Sequence, residues 1–84
     1  MRTFLEAVVA DDSRDHVGSL EKGLAVIAAF DGESPRLTVA EAARKTGLTR
    51  ATVRRHLLTL ARLGYADSEG RHFRLTPRVL RLGY

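Results

Sequence analysis

The chain has 84 residues and no cysteine, so it is one small domain without disulfides, thiolate metal sites or cysteine nucleophiles. Its net charge of +4 is uneven: residues 1–35 carry three bases against seven acids, and residues 36–84 carry eleven bases against three acids. The basic half attracts polyanions, of which nucleic acid is the usual one, while no apolar run approaches the roughly 20 residues of a membrane span.

In chain order, residues 1–17 read as an N-terminal arm. MRTFLEAVVADDSRD has a short apolar patch and then acids, which makes a poor signal peptide, and the protein reads as cytoplasmic. Ser19 is placed to cap a first helix, SLEKGLAVIAAF, with Leu20, Leu24, Ile27, Ala28 and Phe30 as its buried stripe. Gly23 weakens that helix intrinsically, which points to a close contact there. DGESPR is a loop. Thr38 opens a second helix, with Glu41 three residues on completing a capping box. Ala42 and Ala43 let another helix cross closely, and Gly47 supplies the left-handed residue that ends the helix.

Thr49 caps a third helix, along which Val53, Leu57, Leu60 and Leu63 share one side, and Gly64 ends it. In YADSEGRHFRL, Tyr65 and Ala66 start a strand, Glu69-Gly70 turns, and His72 to Leu75 return as a two-stranded wing. Thr76-Pro77 begins a last helix whose Val79, Leu80, Leu82 and Tyr84 form an apolar side with little left to cover. The fold class is mainly α with a small β-hairpin, a winged helix-turn-helix. Its boundaries are residues 18–75, with 76–84 as a further helical segment.

The segment TVAEAARKTGLTRATVRRHLLTLARL carries the function. Its second helix has an apolar face to hold it and a basic face to offer, as entry into a DNA major groove requires. Thr49 sits where its hydroxyl or amide can meet a phosphate, helped by the positive helix end. Arg50 and Arg55 can each donate two hydrogen bonds to guanine, while Ala51 or the Thr52 methyl can touch a thymine methyl. Arg54, nearer the flank, is assigned to phosphate. Arg71 and Arg74 flank His72 in the wing and can reach the backbone or minor groove. Arg36 and Thr38 at the entry to the second helix, with Lys45 at its end, complete the candidate DNA contacts.

Enzymatic readings fare badly. His16, His56 and His72 are scattered, with no HExxH, no paired carboxylates on one face and no phosphate-binding loop. His56 reads as packed or hydrogen-bonded rather than a ligand, and no cofactor or metal is expected. A protein-interaction module offering its basic face is the alternative. An RNA binder is disfavoured because the few aromatics are not interleaved with the arginines.

At SLEKGLAVIAAF, LTVAEAARKTGLTRATVRRHLLTLARLGY and RLTPRVLRLGY the chain resembles the DNA-binding domain of IclR-type bacterial transcription regulators, over about residues 15–84. The stretch DHVGSLEKGLAVIAAFD is most like the branch regulating aromatic-acid catabolism through the β-ketoadipate pathway, the Pca and Pob type regulators. The resemblance implies a homodimer built partly through the arm and first helix, reading a pseudo-palindromic double-stranded operator. It also implies that TPRVLRLGY starts a linker helix to a GAF-like domain, absent from this chain, through which a small-molecule effector would act. Family DNA contacts fall by position on Thr49, Arg50, Ala51, Thr52, Arg54 and Arg55, with Arg71 and Arg74 as wing contacts.

Overall fold

A computed structural model describes residues 16–83; the expected arm, apart from its last two residues, and Tyr84 lie outside the described residues. Three helices and a small sheet follow in the order α1 (Gly18–Ala29), β1 (Leu37–Thr38), α2 (Val39–Thr46), α3 (Arg50–Arg62), β2 (Ala66–Glu69) and β3 (His72–Leu75), and a 3₁₀ segment covers Pro77–Gly83. The antiparallel sheet has the order β1-β3-β2.

The core sits where the three helices meet the sheet. Val26 of α1, Ala42 of α2 and Val53 and Leu57 of α3 are fully buried, and Leu37 and Phe73 close the core from β1 and β3. The two alanines expected to permit a close helix crossing, Ala42 and Ala43, are both buried. Val53 and Leu57 lie one turn apart and anchor α3, with half-buried Leu60 packed alongside.

Helix α1 differs from expectation in its start and in its face. It begins at Gly18, with Val17 at the cap and no side-chain cap bond, so Ser19 lies inside the helix. Glu21 donates its amide to Val17 O, and a hydrogen-bonded contact between the His16 ring and the Glu21 carboxylate ties His16 back over the first turn. The buried residues are Val26 and Ala29, whereas Leu20 and Leu24 are 62% and 43% exposed. Ala28 is also exposed, while Ile27 and Phe30 are half-buried. Helical spacing defines more than one candidate stripe here, and the packing of α1 on α2 and α3 buries the side that holds Val26 and Ala29. A Cβ placed on Gly23 would lie 3.4 Å from His56 Cδ2, so the close approach expected there is present.

The rest of the chain follows the expected order with local changes. Strand β1 was not expected; it pairs Leu37 with Phe73 and Thr38 with His72, making the wing part of a three-stranded sheet. The hairpin turns at Gly70 and Arg71, between paired Glu69 and His72, with positive φ at Gly70 alone. That is the pattern of a II′ turn, whose twist suits a hairpin. Leu63 is 55% exposed rather than buried, because it is the C-cap of α3 and the chain reverses at Gly64, φ 88°. The final segment winds as 3₁₀ rather than α. Thr76 donates its amide to Tyr65 O and its hydroxyl to Gly64 O at 2.6 Å, tying the segment's start to the end of α3. Its apolar side is open as expected, with Leu80 and Leu82 exposed.

Candidate nucleic-acid interface

The turn between α2 and α3 is built by local chemistry. Thr38 accepts the Glu41 amide at 3.1 Å, and Glu41 accepts the Thr38 amide at 2.8 Å. This satisfies amides that a helix start leaves unpaired, and the Thr38 amide holds the Glu41 carboxyl below its usual pKa. Gly47 ends α2 at φ 76° and returns its amide to Ala43 O. Thr46 reaches back to Ala42 O at 2.8 Å and accepts the Leu48 amide at 3.2 Å, which braces the turn on its inner side. Thr49 then caps α3, accepting the Thr52 amide at 3.1 Å.

With Val53 and Leu57 held inside, Ala51, Arg54, Arg55, Leu58 and Arg62 form a continuous exposed row on α3, at spacings of three or four residues. Arg50 is exposed one turn before Arg54. The positive end of α3 lies at the head of this row, where the Arg50 and Ala51 amides have no acceptor within the helix. Beside it stands the wing, with exposed Arg71 at its tip. A groove of about 520 Å³ separates the two and is bordered by Arg54 and Leu58 on one side and Gly70 and Arg71 on the other.

The structure therefore brings Arg54 and Arg71 to one groove, leaves Arg50, Ala51 and Arg55 exposed on α3, and gives several other candidates different work. The Thr49 hydroxyl accepts one amide and donates to the Thr52 hydroxyl at 2.9 Å, so it is committed to the cap. Thr38 is likewise held in its capping box. Arg74 donates to Asp67 across the hairpin at 2.7 Å, and that carboxylate raises the guanidinium's pKa above its usual value. Lys45 donates to Ala29 O at 2.6 Å and to Asp31 at 3.1 Å, closing the end of α1. Arg36 is exposed just before β1. Leu58 was missed: it is 47% exposed in the middle of the basic row, and its sequence signal was its position seven residues after Ala51.

His56 is packed and hydrogen-bonded as expected, with Nδ1 2.8 Å from Thr52 O and Nε2 3.2 Å from Ser19 O. A second groove, of about 550 Å³, runs between α1 and α3 and is bordered by Leu20, Leu24, Leu60 and Leu82, with Arg55 at its edge. Among the described residues, no group of three or more His, Cys, Asp or Glu side chains could hold a metal ion. No helix among them is long and apolar enough to cross a membrane.

Two helices set by a left-handed glycine, an exposed arginine row on the second and a hairpin beside it define a winged helix-turn-helix domain. Residues 19–70 match the family model of the IclR helix-turn-helix domain, and the chain belongs to that family of DNA-binding transcription regulators. It is 49% identical over 67 residues to the Pca operon regulatory protein of Acinetobacter baylyi, covering 80% of this chain and 24% of that protein. It is 50% identical over 70 residues to the Pca regulon regulatory protein of Pseudomonas putida, covering 83% of this chain and 24% of that one. The chain thus spans about a quarter of the length of the curated relatives it matches. Among solved structures, an IclR family transcriptional regulator from Brucella abortus superposes with a TM-score of 0.84 at 39% identity, covering 99% of this chain and 34% of that one. A solved structure from Rhodococcus sp. RHA1 gives 0.79 at 58% identity, covering 82% of this chain and 28% of that one.

Proposed function

We propose that this domain reads a double-stranded operator as part of a homodimeric, cytoplasmic and non-catalytic regulator of aromatic-acid catabolism. The observation that carries the reading is the exposed row on α3, with Arg50 and Arg55 unpaired among the described residues. In this reading Arg50 and Arg55 take guanine edges, and Ala51 meets a thymine methyl. The first amides of α3, together with Arg54, Arg71 and Arg36, take phosphates. The catabolic role is supported by the names of the relatives from Acinetobacter baylyi and Pseudomonas putida. An effector would act through a further domain of the whole regulator. The homodimer is supported by the open apolar side of α1, where Leu20 and Leu24 stay 62% and 43% exposed among the described residues.

The test is selection from a randomised duplex pool at physiological salt, with an Arg50→Ala, Arg55→Ala double variant in parallel. Enrichment of a two-fold symmetric motif by the parent alone is expected, with half-sites about one helical turn or a small multiple apart. A variant that enriches the same motif would remove base readout from these two arginines. A parent that binds all duplexes alike, with a steep salt dependence, would favour a basic protein-interaction module instead.

A further inference from the structure

The groove between α3 and the wing is more specialised than a gap between two basic elements. In β2 and β3, side chains alternate between the two faces of the hairpin. Ser68 pairs with Phe73 and both border the groove, whereas Asp67 pairs with Arg74 in register and neither does. Glu69 shares the parity of Asp67 along β2 and is also absent from the groove wall. The hairpin therefore segregates its charges. Its acids and the ion-paired Arg74 lie on one face, and the groove face carries none of them.

Across the groove, Arg54 of α3 faces the same space as Arg71 of the turn, and no carboxylate lines it among the described residues. Neither arginine has an ion-pair partner among the described residues. The walls between them mix apolar and polar groups, with Leu58, Val39 and buried Phe73 beside Thr38 and Ser68. Two guanidinia facing one space with no carboxylate between them can both donate charge-assisted hydrogen bonds to a phosphate entering there.

We infer that this groove seats one sugar-phosphate unit of the DNA backbone, with Arg54 and Arg71 sharing a single phosphate and Leu58 lying against its deoxyribose. The inference rests on the DNA-reading role proposed above and deepens it. Arg54 and Arg71 then act as a pair that fixes how far α3 is turned in the groove, while Arg50 and Arg55 read bases. Arg74 takes no part. Leu58, otherwise an unexplained exposed leucine in a basic row, becomes an apolar contact for the sugar.

Single phosphates of a duplex selected by this chain are replaced one at a time by neutral methylphosphonates, and binding is measured for the parent, Arg54→Ala, Arg71→Ala and the double variant. At one phosphate, neutralisation is expected to weaken the parent roughly tenfold or more. That sensitivity should shrink in each single variant and vanish in the double. Thermal melting of each variant, expected to match the parent because both side chains are exposed, excludes a folding effect. Loss of sensitivity at two different phosphates would overturn the shared site, as would a change of base preference in Arg54→Ala. If the parent binds no duplex at all, the DNA-reading role itself fails, which is a separate outcome.

Discussion

Gly47 holds the turn of the helix-turn-helix at φ 76°, and no atom lies within 4 Å of where a Cβ would stand. A Gly47→Ala variant therefore isolates the backbone cost of a left-handed residue and should lose about 1–2 kcal/mol of stability in urea melting. An unchanged midpoint would show that the turn relaxes into another conformation. Glu41 and Asp31 make the domain sensitive to acid. The Thr38 amide lowers the pKa of Glu41, and the Lys45 ammonium lowers that of Asp31. A depressed carboxylate pKa contributes stability that is complete above the unfolded value, about 4. That contribution is lost as pH falls through the lower folded value. Melting temperature should accordingly drop as pH is lowered from 5 to 2, and less steeply in Glu41→Gln. An equal slope in parent and variant would remove Glu41 from the account.

At the scale of the element, Lys45 shows how one side chain can be taken from one role for another. Its ammonium closes the end of α1 against α2 through Ala29 O and Asp31. Lys45→Met should cost roughly 1 kcal/mol of stability, since the site is partly exposed. It should leave the salt dependence of DNA binding unchanged. A salt slope reduced by about one would mean that Lys45 holds a phosphate after all. The 3₁₀ segment at Pro77–Gly83 has no buried residue, and its tie to the body is Thr76, with Arg78 lying 5.3 Å over the Tyr65 ring. Amides of Leu80 and Leu82 should exchange with solvent far faster than those of Val53 and Leu57. Comparable protection in dilute protein would show that something covers this segment.

For the molecule as a whole, the two sides of α3 divide the work. One side meets the wing across a groove with arginines at its rim, and the other meets α1 across an apolar groove. Self-association through α1 predicts that Leu20→Gln with Leu24→Gln shifts the protein toward monomer in sedimentation, with the dilute-solution melting point almost unchanged. If the parent is monomeric at the highest soluble concentration, α1 is not sufficient as an interface. Arg55 lies at the edge of this groove, so pairing there would also bear on the reading face.

Local chemistry made much of this domain legible without coordinates. The Thr38–Glu41 box, the left-handed Gly47, the Thr49 cap and the hairpin around Gly70 are each set by residues within four positions of one another, and each is present. The basic row on α3 follows from helical period once Val53 and Leu57 are taken as its inner side. Other features depended on distant contacts. Which stripe of α1 is buried was decided by how α1 packs on α2 and α3, because period identifies a stripe without choosing among stripes. Strand β1 is two residues long, too short for any alternation to register, and exists because Phe73 and His72 offer it an edge. The working set of basic residues was decided last of all: Arg74 meets Asp67 and Lys45 meets Asp31 only after folding, while Arg54 and Arg71 are left facing one groove. Sequence alone determined the caps of α2 and α3 and the turns at Gly47 and Gly70, because those bonds are local, although the cap expected at Ser19 did not form. Only the tertiary structure decided which charges remain unpaired, because ion pairing depends on distance in space.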